Sequence, residues 1–335
     1  MTGTDMARFE ALRGVFDRNF KITRLYAAYL EHCPELITKE AVDSLTSEGD
    51  ISRTEAVVAL LSEILGLDFE KAEDRAMIRD YITPSVRLLE VEKYKNNPYY
   101  NNIRIENVVD GRWELRREAY EPYRGVMAGD MILRPDFSEV PPLGFFTERF
   151  EFPAVLEDGN EWMTLTPVDL DTAEEAIEAA HGSVVTFGLG LGYYAYMVSE
   201  KETVDRVVVV ERSREVISLF KRYILPQFAH GDKIEIVEAD AFEYAERVMP
   251  RERFDVAFVD TWRDASDGTP MYRRMKKLEK LNTGTHFLYW IENFLVSRAR
   301  AERFAEIEDA IESGGADAPK SYGEVLHLLT DGLLG

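Results

Sequence analysis

Three glycines at alternate positions, in Phe187-Gly188-Leu189-Gly190-Leu191-Gly192-Tyr193, form the most chemically suggestive stretch of the chain. They permit a tight turn with backbone close to a ligand. A helix opening just after them offers free N–H groups and the positive end of its dipole. Glu211 follows 23 residues beyond Gly188, and a carboxylate there can accept both hydroxyls of a ribose. Farther on, Asp240-Ala241-Phe242 puts an acid beside small and aromatic residues, a set able to take an adenine amino group and cover its ring. Asp260-Thr261-Trp262 and Glu292-Asn293 bring two more carboxylates. Asp260 can orient or deprotonate an amine or hydroxyl, or it can simply cap the turn that follows it. Trp262 can wall an acceptor pocket or favour a cation through its ring face, or pack in the core. Glu292 and Asn293 are secondary candidates on the same side. Of Tyr193 and Tyr194, one can line the pocket while the other packs.

These residues gain meaning from the elements that carry them. Short, apolar, β-branched-rich runs over 183–187, 206–211, 233–238, 254–260 and 285–291 read as buried parallel strands, with Val207-Val208-Val209-Val210 the extreme case. Helical patterns over 193–200, 214–223, 241–248 and 270–281 alternate with them. Before the first strand, Asp171-Thr172-Ala173-Glu174 is expected to cap a helix running to Ala180 and stopping at Gly182. Strand–helix alternation implies right-handed crossovers and a doubly wound, mostly parallel α/β sheet. Ligands bind such sheets at the carboxyl ends of the strands, where every candidate above falls.

The rest of the chain is less explicit. Residues 1–96 read as an N-terminal helical domain, with apolar spacing at Phe9, Leu12, Val15 and Phe16 and again at Val57, Leu60, Leu61 and Ile64. Ser52-Arg53-Thr54-Glu55 has the form of a capping box and Gly66 that of a terminator. A helix is expected from about Phe69 to Tyr81, and a short one after Pro84. Residues 97–160 read as a β-rich connecting segment: a loop in the Asn-rich stretch that holds Tyr99 and Tyr100, a hairpin turn at Asp110-Gly111, and an alternating run from Phe145 to Phe152. Residues 161–335 form the third part. After Glu292 one amphipathic helix is visible (Phe304, Ile307, Ile311), so the sheet is either truncated at that edge or completed from elsewhere.

The chain of 335 residues carries 40 Lys+Arg against 62 Asp+Glu, a net charge of −22, and residues 151–335 hold −15 of it. No Lys or Arg occurs between Arg149 and Lys201. Such a surface repels nucleic acid and anionic membrane, which argues against either as partner and is compatible with a cationic acceptor. The single cysteine, Cys33, excludes an internal disulfide and a Cys-based zinc site. His32, His181, His230, His286 and His327 lack metal-ligand spacing, so no metal site is expected. The polar N-terminus and the lack of any long apolar run point to the cytoplasm.

Two nucleotide-binding alternatives fit less well. The dinucleotide fingerprint puts its third glycine one place later, where this chain has Tyr193, a side chain that obstructs close helix–strand packing. No Gly-Lys-Ser/Thr follows the first strand, which argues against nucleoside triphosphate hydrolysis. Residues 183–292, by contrast, resemble the Rossmann-like fold of class I S-adenosylmethionine-dependent methyltransferases at Gly188, Gly190, Gly192, Glu211, Asp240 and Ala241. The resemblance implies S-adenosylmethionine as cofactor, its methionine end against the glycine loop, its ribose at Glu211 and its adenine at Asp240. Trp162-Met163-Thr164 and Pro167 to Thr172 resemble the stretch that closes over the cofactor's amino-acid end. Thr186 stands where many members carry an acid, and Asp260-Thr261 is similar to the Asp-Ser/Thr of spermidine synthase-type aminopropyltransferases. The resemblance thus implies methyl transfer to a small-molecule or peptide acceptor. Aminopropyl transfer from the decarboxylated cofactor is one alternative, and cofactor binding without catalysis is another.

Overall fold

Val207, Val208, Val209 and Val210 are buried on both faces of one strand, as their apolar run requires. The computed structural model describes residues 1–315, 317–331 and 333. It forms a five-stranded parallel sheet from β1 (Gly182–Phe187), β2 (Val204–Glu211), β3 (Ile234–Glu238), β4 (Val256–Val259) and β5 (His286–Tyr289), ordered β3-β2-β1-β4-β5. β1 is central: Val184 pairs with Val207 of β2 on one side and with Val256 of β4 on the other. Strand order therefore reverses between β1 and β4, and the connections leaving these strands turn apart. Among the described residues no strand follows Tyr289, so β5 is an edge.

Two helices start earlier than their sequence patterns suggest. The helix before β1 spans Pro167–Ala179, capped by Thr166 with Asp169 completing the box, rather than by Asp171. Proline at its first position is pre-set for helix and needs no amide donor there. The helix expected from residue 270 spans Ala265–Glu279, opened by an Asp264/Asp267 capping box, with Pro270 inside it. Strand β5 also ends earlier than expected. The chain turns sharply at Ile291, whose φ of 48° is rare for a β-branched residue, and enters the helix Glu292–Ser313. Asp130 secures that turn, its carboxylate accepting from the amides of Asn293 and Phe294.

Upstream, the short helix expected after Pro84 comes at Val91–Lys95, beyond an intervening strand. Thr83–Ser85 make one helical turn, and Val86–Leu89 then pairs in parallel with Leu143–Phe146. The expected hairpin at Asp110-Gly111 joins Val108–Asp110 to Trp113–Tyr120, with Asp110 opposite Trp113. The latter strand pairs with Phe150–Glu157, which in turn pairs with Asn160–Thr164. Pro98–Asn102, expected as loop, is a short helix that braces the glycine turn. The Tyr99 hydroxyl donates to the Leu191 carbonyl, and Asn97 and Asn102 donate to the hydroxyls of Tyr193 and Tyr196. Tyr100, likewise, donates to the Leu165 carbonyl.

The two ends of the chain meet. Phe304 of the helix Glu292–Ser313 stacks on Phe16 at 4.0 Å and on Phe9 at 5.5 Å, both from the helix Gly3–His32. Beside this contact lies a buried polar knot. The Asn19 amide donates to the Phe137 carbonyl, and its oxygen accepts from the Tyr81 hydroxyl and the Glu139 amide. Asn19→Ala strands all three groups, and the expected cost is about 1–3 kcal/mol. Urea unfolding should show that loss as a lower midpoint with an unchanged slope; an unchanged midpoint would mean that the knot adds nothing. No helix among the described residues is long and apolar enough to cross a membrane.

Candidate active site

A cavity of about 470 Å³ opens at the carboxyl ends of β1 to β4. Gly188, Gly190, Glu211, Asp240, Ala241, Asp260 and Trp262 all border it, as do Glu161, Met163, Asp169, Phe242, Arg263 and Trp290. The size suits a small organic ligand, for which about 300–1,000 Å³ is usual.

Gly188 shows why the turn demands glycine. Its φ is +96°, and a Cβ there would lie 1.8 Å from the Asp260 carbonyl oxygen, so the loops after β1 and β4 touch at backbone level. At Gly190 the space of a side chain is taken by Met163, whose sulfur also accepts from the Leu191 amide at 3.2 Å. The pre-strand segment thus does lie over the glycine turn. Gly192 has a different role from the one its spacing suggests: it sits off the cavity, and the Phe220 ring occupies the place of its Cβ.

Glu211, 9% exposed, ends β2 and is already held by backbone. Oε2 accepts from the Leu189 amide at 3.2 Å and Oε1 from the Ser213 amide at 2.7 Å. This fixes a carboxylate on the cavity wall with lone pairs left over for a diol. Asp240 uses Oδ1 to cap the helix Ala241–Arg247, accepting from Phe242 and Glu243, while Oδ2 makes no hydrogen bond among the described residues.

Asp260 caps nothing. The helix after it is capped by Asp264, and the Asp260 carboxylate has no hydrogen-bond partner among the described residues. Burial pushes its carboxyl up to about 8, and the facing Asp169 and Glu211 carboxylates add to the shift. Burial likewise pushes Asp169 up to about 6, against the lowering effect of its bonds to Thr166. The sequence singles out Asp260, whereas Asp169 is only one member of the Pro167-to-Thr172 stretch. Its signal is Thr166-Pro167, three and two residues ahead of it, the start of a capping box.

Two residues expected at the acceptor side lie elsewhere. Glu292 accepts from the Tyr272 hydroxyl at 2.6 Å and pairs with Lys276, because the sharp turn at Ile291 carries it past the sheet. Asn293 instead donates to the Met131 carbonyl. Tyr193 borders only a side recess of about 30 Å³, with its hydroxyl held by Asn97; Tyr194 borders the same recess and stacks on Phe258 at 4.4 Å. Met163, Asp169, Gly188, Leu189, Asp260 and Trp290 border both spaces. Arg263 and Trp290 are wall residues that pattern reading missed: each follows a strand end but belongs to no fingerprint. Among the described residues, no group of three or more His, Cys, Asp or Glu is placed to hold a metal ion.

The strand order and crevice define a doubly wound, Rossmann-like α/β protein with its candidate site at the topological switch point. No family model matches the chain, and no curated protein matches it by sequence. Among solved structures, it is similar to a spermidine synthase from Thermotoga maritima at 17% identity, over 46% of this chain, with a TM-score of 0.31. A precorrin-8W decarboxylase from Methanobacterium thermoautotrophicum aligns at 20% identity over 45% of this chain and 74% of its own, with a TM-score of 0.30. The chain spans 59% of the length of that spermidine synthase.

Proposed function

We propose that the protein is an S-adenosylmethionine-dependent methyltransferase acting on a small-molecule or peptide acceptor. The observation that carries this reading is the convergence on one cavity of the Gly188–Gly190 turn, the braced Glu211 carboxylate and Asp240-Ala241-Phe242. Glu211 would hold the ribose hydroxyls. Asp240 Oδ2 would take the adenine amino group, and Phe242 would cover the ring. When bound, the sulfonium supplies an activated carbon for in-line displacement. The chain's own work is to hold the acceptor close and aligned, for which no covalent nucleophile is needed. Asp260, on the cavity wall and without a hydrogen-bond partner for its carboxylate among the described residues, orients the acceptor nitrogen or oxygen and takes its proton. Five acids line the cavity against two cations, Arg212 and Arg263, which suits a positively charged ligand.

One feature favours aminopropyl transfer as a second reading. The cavity end at Glu161 and Asp169 is acidic, and both wall cations stand elsewhere, after β2 and β4. An ammonium without a neighbouring carboxylate, as in the decarboxylated cofactor, meets that end without repulsion. Calorimetry with both cofactor forms separates the two. Tighter binding of S-adenosylmethionine supports methyl transfer, tighter binding of the decarboxylated form overturns it, and binding of neither removes both.

The same titration carries a pH signature. A bound cation favours the Asp260 carboxylate and lowers its pKa from about 8, so binding near neutral pH releases a proton. Affinity is therefore expected to rise with pH toward 8 and level above it, by up to about tenfold per pH unit. Heats measured in buffers of different ionisation enthalpy count the proton directly; no release would mean that Asp260 does not sense the ligand's charge.

A further inference from the structure

Backbone strain stands beside the cavity. Of the four non-glycine residues with positive φ among the described residues, Ile291 alone is β-branched. It directly follows Trp290, which borders both the main cavity and the side recess. Strain of this kind persists only where the surroundings over-determine it. Glycine would take the conformation without steric cost, and Asp, Asn or Ser would cap the helix that opens at Glu292. Ile291 does neither. It occupies the N-cap position and makes no side-chain cap hydrogen bond.

Asp130 supplies the missing acceptor from a distant part of the chain. Its Oδ2 accepts from the Asn293 amide at 2.8 Å and its Oδ1 from the Phe294 amide at 2.9 Å. These are the second and third helical positions, where a local N-cap side chain would bond. Oδ1 also accepts from the Met131 amide, and the Asn293 side chain donates back to the Met131 carbonyl. The hairpin that follows pairs Ile132 with Val140 and Leu133 with Glu139, and it grips the same helix farther along. There Ser297 donates to Glu139 Oε2 at 2.6 Å, and Arg300 stands 3.7 Å from Oε1. Residues 293, 297 and 300 recur at helical spacing, so one face of the helix takes the whole contact. Trp290 itself is tied on its other side, its amide donating to the Val259 carbonyl at 3.0 Å.

Resting on the transferase reading above, we propose that Asp130 is a positioning residue for the cavity. By capping the helix from outside it holds Ile291 in the left-handed conformation, and this sets Trp290 on the cavity wall.

The test uses the full chain, with S-adenosylhomocysteine as the probe and calorimetry for affinity. The chain holds four tryptophans, so acrylamide quenching of Trp290 is obtained by subtracting the matched Trp290→Phe protein. Asp130→Ala is expected to weaken binding about tenfold, the size of a lost cap, and to raise the quenching of Trp290. Asp130→Asn keeps the shape and one acceptor oxygen. It should cost about threefold, and it carries the test if the alanine variant does not fold. In an Ile291→Gly chain the turn needs no outside hold, so the cost of Asp130→Ala should shrink to within about threefold there. Phe9→Leu is the control: it weakens the packing on Phe304 at the far end of the same helix. It should lower the melting temperature while leaving affinity and quenching at wild-type values. Wild-type affinity and quenching in Asp130→Ala overturn the proposal. So does an equal cost of Asp130→Ala with and without Ile291→Gly, or a loss that Phe9→Leu reproduces. If S-adenosylhomocysteine does not bind the wild type, the transferase reading falls instead, and the quenching of Trp290 still decides what Asp130 holds.

Discussion

Asp260→Asn is expected to lower turnover by about 10²–10⁴-fold, the usual worth of a positioned proton acceptor. The substitution keeps the shape of the side chain and removes its charge. It therefore mimics the protonated carboxyl that the unliganded wild type holds at neutral pH, its pKa being about 8. Cofactor affinity near pH 6 should change little, and the rise in affinity toward pH 8 should vanish. Stability supplies a second readout with the opposite sign. Because the folded-state pKa is raised, the stability that Asp260 contributes below its ordinary carboxyl range is lost as pH rises through about 8. The Asn variant escapes that loss. Its melting temperature should exceed that of the unliganded wild type at about pH 9, with the gap closing toward about pH 4. A residue that served only the fold would give no such pairing of lost turnover and gained alkaline stability. Wild-type turnover in the variant would remove Asp260 from the chemistry.

Gly188→Ala is expected to damage the site more broadly. The backbone there has φ +96°, which L side chains rarely adopt, and the new methyl would meet the Asp260 carbonyl oxygen at 1.8 Å. Strain of about 1–2 kcal/mol and overpacking of about 1–3 kcal/mol together predict a loss of about 2–5 kcal/mol. The obstacle is backbone, so no rotamer change relieves it, and the loops after β1 and β4 must part. Adenosyl-ligand affinity should fall with stability, since both loops form the cavity floor. Gly190→Ala makes the natural comparison: its obstacle is the flexible end of Met163, and Met163→Ala in the same chain should restore much of what is lost. A Gly188→Ala protein that melts and binds like wild type would show that the two loops do not need this contact.

The α/β sheet was readable because buried parallel strands leave a local imprint. Val207 to Val210 can be nothing but a two-faced buried strand, and glycine, acid and aspartate recur after successive strands at spacings set by strand and helix length. The positions of Gly188, Glu211, Asp240 and Asp260 on one cavity follow from that repetition and from parallel topology alone. Helix starts were less readable. The Thr166/Asp169 box sits beside a proline that also suits a turn, and Pro270 invites a helix start where Asp264 had already made one. Boundaries of this kind depend on which cap the surrounding packing leaves free.

Contacts between distant segments left no local imprint at all. Nothing near Glu292 announces that Ile291 will take a left-handed conformation, held by Asp130 from another part of the chain, and so turn Glu292 toward Tyr272. The bracing of the glycine turn by Asn97, Tyr99 and Asn102, and the stacking of Phe16 on Phe304, join residues about a hundred or more positions apart through packing. Period and motif, being local, decided the sheet, its order of helices and strands, and the residues at its carboxyl edge. Tertiary packing decided which of those residues share a cavity and which carboxylates lose their water and rise in pKa. Burial and partner choice are properties of the assembled surface, and a linear pattern does not contain them.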